Sequence, residues 1–190
     1  ANNVISVRGG QDSPSGGMAV GIDCQRELMS GAIVHNTIVF DSPDSERGIW
    51  LHNAYSESTC DMEVINNIVA GYDGDGSEAI GNDNGTTHDP FYDYNVCFGV
   101  DTEGAGTHGI YGSNNGYSTS DLFWDVFGED WDWDLSDGDE VDYRLQDSGG
   151  TTYALDLGTG GPYAGVDVDI RGVSRPQGTA CDRGAYEVEP

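Results

Sequence analysis

Trp50 and Tyr111, with Asp23, His52, Asp83 and Ser113 close by, are the side chains of this sequence best suited to holding a ligand. They fall on one recurring phrase: Val20-Gly21-Ile22-Asp23, Ile49-Trp50-Leu51-His52, Ile80-Gly81-Asn82-Asp83 and Ile110-Tyr111-Gly112-Ser113. Read as a strand, Ile49-Trp50-Leu51-His52 turns Ile49 and Leu51 inward and Trp50 and His52 outward. Stacking the phrases then lines up an outward column of Gly21, Trp50, Gly81 and Tyr111, flanked by the carboxylates, the histidine and Ser113. Rings that lie against pyranose faces, with polar groups for the hydroxyls, are what carbohydrate binding uses. The competing reading packs Trp50 and Tyr111 beneath a neighbouring loop.

Catalysis asks for more. A polysaccharide lyase takes the proton α to a uronate carboxylate and needs a base beside neutralised charge, usually Arg or Lys with Ca²⁺. There is no Lys in the chain, and only Arg8, Arg26 and Arg47 fall in the repeating part. Arg47, just ahead of Trp50 and His52, is the best placed, with Asp23 and Asp83 as Ca²⁺ ligands. A hydrolase needs two carboxylates across a cleft. Asp23 and Asp83 are two coils apart, roughly 10 Å at ~4.8 Å per coil, just beyond the inverting spacing. A second cation site is suggested by the acidic run Glu129 to Glu140, where Asp134, Asp137 and Asp139 surround a Gly turn. Its spacing misses the EF-hand pattern, and the alternative is a solvated acidic loop pinned by Trp131 and Trp133. Ca²⁺ is thus the one cofactor that the sequence suggests.

The whole-chain charge weighs against several functions. The formal net charge is −27 over 190 residues, a field that repels nucleic acid and anionic membranes. It would also repel a polyuronate, which makes binding the better reading than lyase chemistry. Acidity of this size suits cation binding or solubility in salt. No apolar run approaches the ~18 residues a membrane span requires. Hydrophobic content is 36% with 29 glycines, a composition for short strands and tight turns around a narrow core.

What must position these residues is a repeat. A second phrase, His35-Asn36-Thr37-Ile38-Val39-Phe40, returns as Asn66-Asn67-Ile68-Val69-Ala70-Gly71 and Tyr94-Asn95-Val96-Cys97-Phe98-Gly99, with an echo at Asn2-Asn3-Val4-Ile5. Aligning Ile38, Ile68 and Val96 gives steps of 30 and 28 residues, the mark of stacked repeats. Short strands divided by Gly, Asn, Ser and Asp suit three faces of a parallel β-helix, each strand pairing with its equivalent one coil away. Asn2, Asn36 and Asn66 form one expected column and Asn3, Asn67 and Asn95 another, their amides bonded from coil to coil. Cys24 and Cys60 fall in corresponding turns of adjacent repeats, within reach of a disulfide. Cys97–Cys181 is the remaining pair; the alternative is four buried thiols.

The chain also carries a resemblance. Asn36-Thr37-Ile38-Val39, Asn66-Asn67-Ile68-Val69, Asp93-Tyr94-Asn95, Asp142-Tyr143-Arg144-Leu145-Gln146 and Ala154-Leu155-Asp156-Leu157-Gly158 resemble the C-terminal part of secreted bacterial β-helix proteins of the pectate-lyase-like superfamily. The segment Asp169-Ile170-Arg171-Gly172-Val173-Ser174-Arg175-Pro176, followed by Asp182-Arg183-Gly184-Ala185-Tyr186-Glu187, is similar to the ending of those bearing the choice-of-anchor Q surface-sorting region. The resemblance implies a right-handed, three-faced parallel β-solenoid and a cell-surface setting, and it leaves activity open. The expected architecture is about four coils over 1–114, an acidic insertion over 115–142, and terminal strands with an irregular C-terminal cap over 143–190. The expected role is an extracellular structural and binding module, for carbohydrate or for another copy of itself. A polysaccharide-enzyme fragment and a head-to-tail filament subunit are the alternatives. Disulfides would agree with an oxidising exterior, and an Ala1 start with a trimmed secreted chain. Asn2 to Ile5 reads as mid-coil, so upstream coils or another chain are expected to cover it.

Overall fold

The computed structural model describes residues 1–8, 19–25, 28–41, 46–52, 59–70, 78–82, 90–98, 106–111, 123–125, 142–145, 154–159 and 166–189. Within them the regular structure is all strand, with no helix. The strands are β1 (Val4–Arg8), β2 (Ala19–Gln25), β3 (Leu28–Val34), β4 (Thr37–Asp41), β5 (Glu46–His52), β6 (Thr59–Ile65), β7 (Ile68–Ala70), β8 (Glu78–Asn82), β9 (Phe91–Asp93), β10 (Val96–Phe98), β11 (Ile110–Tyr111), β12 (Phe123–Asp125) and β13 (Asp142–Leu145). They form three parallel sheets: a first of order β1-β4-β7-β10-β11, a second β2-β5-β8 and a third β3-β6-β9. Up to β10 each strand pairs with the one three places on, so successive repeats of sequence lie side by side in space. β12 and β13 form a separate antiparallel pair.

The corner between the third and first sheets shows why asparagine recurs. Asn2, His35, Asn66 and Tyr94 take left-handed backbone, with φ of 55°, 53°, 58° and 56°, a conformation that Asn tolerates better than most residues. The residue after each points its amide along the stack. Asn3 Nδ2 donates to Asn36 Oδ1 at 2.9 Å, Asn36 Nδ2 to Asn67 Oδ1 at 2.9 Å, and Asn67 Nδ2 to Asn95 Oδ1 at 3.0 Å. Each of those acceptor oxygens also takes the backbone N–H of the preceding asparagine. The ladder is therefore one column, Asn3-Asn36-Asn67-Asn95, and Asn36 belongs with Asn3 and not with Asn2 and Asn66. Its steps are 33, 31 and 28 residues.

This corrects the expected alignment by one residue. Thr37, not Ile38, lies opposite Ile68, and Ile38 lies opposite Val69. In a strand a one-residue slip reverses the face, and the packing shows it. Ile38, Phe40, Val69 and Cys97 join Ile49, Leu51, Val64 and Ile80 in the core between the sheets. Val39, Ile68, Ala70 and Val96 lie on the opposite face of the first sheet, buried against Phe123, Leu145 and Ala154, with Leu155, Tyr186 and Val188 partly buried there. Both faces of the first sheet are thus covered, and complete burial of an Ile such as Ile38 or Ile68 contributes about 1.5–3 kcal/mol. Between the first and second sheets, Gly21 leaves room for close approach: a Cβ there would sit 2.6 Å from Ile38 Cγ2.

The C-terminal residues run along that outer face. Asn2 Nδ2 donates to Val168 O, Ala185 N to Thr37 Oγ1, Gly184 N to Asn66 O and Arg183 Nη2 to His108 O. Residues 154–159 and 166–189 therefore form a strap that touches the first sheet from its first repeat to its last.

Candidate functional site

The second sheet presents the aromatic site. Register places Asp23 beside Trp50 and Trp50 beside Gly81. Asp23 is exposed and Trp50 half-buried. The Arg47 guanidinium lies over the Trp50 ring, 4.2 Å from its centroid, and its Nε is 3.1 Å from Glu78 Oε2. Arg47 and Glu78 are neighbours in register, each three residues before the paired Trp50 and Gly81. The cation fixes the plane of the indole, and Gly81 keeps the rung beside it low, since a Cβ there would meet Glu78 and lie 3.7 Å from Trp50 Cδ1. The cluster is an oriented aromatic ring edged by a guanidinium and two carboxylates.

The register separates Gly21 and Tyr111 from that cluster. Gly21 is not in register with Trp50, because Val20 pairs with Arg47 and Ile22 with Ile49. Tyr111 belongs to the first sheet, where it lies opposite Cys97, so it cannot share a groove with Trp50. The physical reason is a shorter last step: the first sheet goes from Val96 to its neighbour Ile110 in 14 residues, against 28 from Ile68 to Val96. His52 is on β5 opposite Gln25. Asp83, and the proposed Ca²⁺ ligands Asp134, Asp137 and Asp139, lie outside the described residues. Among the described residues no group of three His, Cys, Asp or Glu side chains could hold a metal ion. Nor is any helix there long and apolar enough to cross a membrane.

The disulfide expectation is corrected. Cys24, Cys97 and Cys181 carry thiols, so neither Cys24–Cys60 nor Cys97–Cys181 forms. Cys24 pairs in register with Leu51 on the second sheet, and Cys60 with Met29 on the third; they occupy different faces of the stack. Cys97 faces the sealed core and Cys181 is buried in the strap. Burial pushes the thiol of Cys97 up to about 12 and that of Cys181 up to about 11, and both are inert as nucleophiles at neutral pH.

The C-terminal motif has a role that sequence reading missed. Its charges form one buried network. Arg175 Nη1 is 2.8 Å from Glu187 Oε2, with the two side chains 0% and 1% exposed. Arg175 also donates to the Asp182 and Gly184 carbonyls. Glu187 accepts the N–H groups of Gln177 and Asp182, and Asp169 accepts those of Arg171, Val173 and Glu187. For Asp169 burial works upward, but these hydrogen bonds together hold its carboxyl below the usual range. Asp182 accepts from Asp156 and Val188; burial prevails and, with Glu187 and Asp156 near, pushes it up to about 7. The Asp, Arg and Glu positions of the motif are thus spent holding the strap to itself. Arg183 reaches further, to the carbonyls of Leu157 and His108.

A second small constellation lies at the last repeat. Asp93 accepts the N–H groups of Tyr94 and His108 and sits 2.9 Å from His108 Nδ1, while the His108 ring stacks on Tyr94 at 4.6 Å. Burial works to raise the Asp93 carboxyl, and the hydrogen bonds from His108 and Tyr94 outweigh it and hold it low. The arrangement pins the short last turn, and nothing in the sequence motif marks His108. In comparison with known proteins, no family model, curated protein or solved structure matches the chain.

Proposed function

We propose that the chain is a right-handed, three-faced parallel β-helix serving outside the cell as a structural module that binds carbohydrate on its second sheet. The pattern of three parallel sheets, in which the strands from β1 to β10 pair with partners three places along, supports the β-helix. The observation that carries the binding reading is the Trp50 indole held under Arg47 at 4.2 Å beside the exposed Asp23. A ring of fixed orientation costs little entropy on binding, and Asp23 and Glu78 offer acceptors to sugar hydroxyls. Neutral sugars fit best, because the −27 charge repels polyuronates. Arg47 is already paired with Glu78, which disfavours its use in neutralising a substrate carboxylate and so disfavours the lyase alternative.

The test is a glycan array on the native chain, followed by titration calorimetry on each hit. Trp50→Ala is expected to weaken binding by about tenfold or more, and Asp23→Ala by less. Hits that bind the Trp50→Ala chain with unchanged affinity would refute the site.

A further inference from the structure

The strap encloses a cavity of about 240 Å³. Half-buried Leu155 and Val188 line it, buried Asp182 reaches it from below, and exposed Asp156, Gly178 and Glu189 stand at its rim. The volume is below the roughly 300 Å³ at which pockets for drug-sized ligands begin, so the occupant is small. Asp182 is 3% exposed, and its two carboxylate oxygens each accept one backbone N–H, from Asp156 and Val188. No cation pairs with that carboxyl among the described residues. Arg175 directs its guanidinium to Glu187, to the Asp182 and Gly184 carbonyls and to Asn2. Asp156 Oδ1 accepts Ala180 N, and its Oδ2 takes no hydrogen bond from any described residue. Gly178 lets the chain close on that carboxylate, with which a Cβ would collide. Three carboxyl groups thus share one small cavity with no counter-charge among the described residues. Burial, with Glu187 and Asp156 near, raises Asp182 to about 7, so at neutral pH the cavity already retains a cation, the proton. Among the described residues no three such side chains could hold a metal ion, which leaves an organic cation.

We propose that the strap cavity binds a small primary ammonium compound, a free alkylamine or an amino sugar. Its three N–H groups donate to Asp182, Asp156 and Glu189, and its carbon skeleton lies against Leu155 and Val188. Each Asp182 oxygen has a second lone pair for this. The −27 charge of the chain concentrates cations around the cavity and excludes anions. Asp182 faces Asp156 and Glu189 across the cavity, with Glu187 and Arg175 behind it and the Cys181 thiol and His35 ring near by. A bound ammonium favours the ionised Asp182, so the ligand displaces the proton and binds more tightly as pH rises through 7. The cavity shares no residue with the Trp50 site.

Titration of the native chain with n-butylammonium and with glucosamine, read by amide NMR, tests this. Saturable shifts at Leu155 and Val188 are expected with at least one of the two, and the tighter binder identifies the source of the amine. The Trp50 indole N–H reports the carbohydrate site separately, so either site can fail alone. n-Butanol and glucose, which keep the shape without the charge, should not bind in the cavity. At pH 7 the heat of amine binding should vary with the buffer, reporting release of about half a proton. Asp182→Asn should abolish that release and weaken binding by about tenfold or more. If that variant does not fold, Glu189→Gln at the rim replaces it, and should weaken binding about twofold to fivefold while keeping the proton release. No saturable shift at Leu155 and Val188 with either amine, equal binding of the neutral analogues, or unchanged amine affinity in the folded variant would overturn the proposal.

Discussion

Replacing Asn67 by Ala tests the ladder where it carries most. Asn67 is 0% exposed. Its Nδ2 donates to the Ile33, Ile65 and Asn95 oxygens at 2.9, 3.2 and 3.0 Å, and its Oδ1 accepts Asn36 N and Nδ2 at 3.0 and 2.9 Å. Truncation leaves the Asn36 N–H without an acceptor and the Ile33 carbonyl and Asn95 amide oxygen each short of a donor. At about 1–3 kcal/mol per buried group left unmade, a loss of about 3–6 kcal/mol is expected. Asn3→Ala, at the exposed end, removes one bond that water can replace and should cost under about 1 kcal/mol. Asn67→Asp is the sharper variant, since it keeps the shape but aims an acceptor at three oxygens; it should cost at least as much as Ala. Urea unfolding followed by circular dichroism gives all three midpoints. Equal costs for Asn3→Ala and Asn67→Ala, or a harmless Asn67→Asp, would refute the ladder.

Three further predictions follow from the strap and its surroundings. Glu187→Gln leaves the buried Arg175 without its counter-charge and should cost about 3–5 kcal/mol, with dye binding to the uncovered outer face of the first sheet; unchanged stability and no dye binding would argue against the clasp. Burial, with Arg175 second, pulls His35 down to about 3 from 6.5, whereas Asp182 rises to about 7 from 3.8. His35 therefore loses stability as pH falls below 6.5, Asp182 loses it as pH rises from about 4 through 7, and the two nearly cancel between pH 4 and 6.5. His35→Asn, which suits the left-handed backbone, should leave only the Asp182 effect, so that stability rises on acidification by up to about 1.4 kcal/mol per pH unit; a flat profile in the variant would contradict this. Finally, Cys97 and Cys181 should resist thiol reagents until the chain is unfolded, and the intact mass should be that of the fully reduced chain; a mass 2 Da lower per bridge, about the weight of two hydrogens, would restore the disulfides.

The repeat and its asparagine corners were legible because a bend that takes groups out of the sheet ladder restricts the residues able to fill it. Register was not legible to the last residue. Thr37-Ile38-Val39-Phe40 is buried throughout, since the strap covers the face that would otherwise alternate with polar residues, and without alternation a strand does not declare its faces. The turns also vary, so a fixed step of thirty misplaced Ile38 by one and carried Tyr111 onto the wrong sheet. Cys24 and Cys60 looked adjacent because the turns correspond in sequence, although the strands pair on different faces. The motif around Arg175 and Glu187 could be seen but not understood from the sequence, because contacts such as Ala185 with Thr37 span 148 residues.

The parallel stacking of neighbouring repeats supports every other statement, and engineered cross-links test it directly. In a Cys60→Ser background, Ala32→Cys with Glu63→Cys joins residues in register, at the ~4.8 Å spacing of adjacent strands that a disulfide accepts. Ala32→Cys with Asp61→Cys is two residues out of step and about 8 Å apart. Mild oxidation should close the first pair nearly completely and leave the second open. Preferential closure of the second, or closure of neither, would contradict the fold.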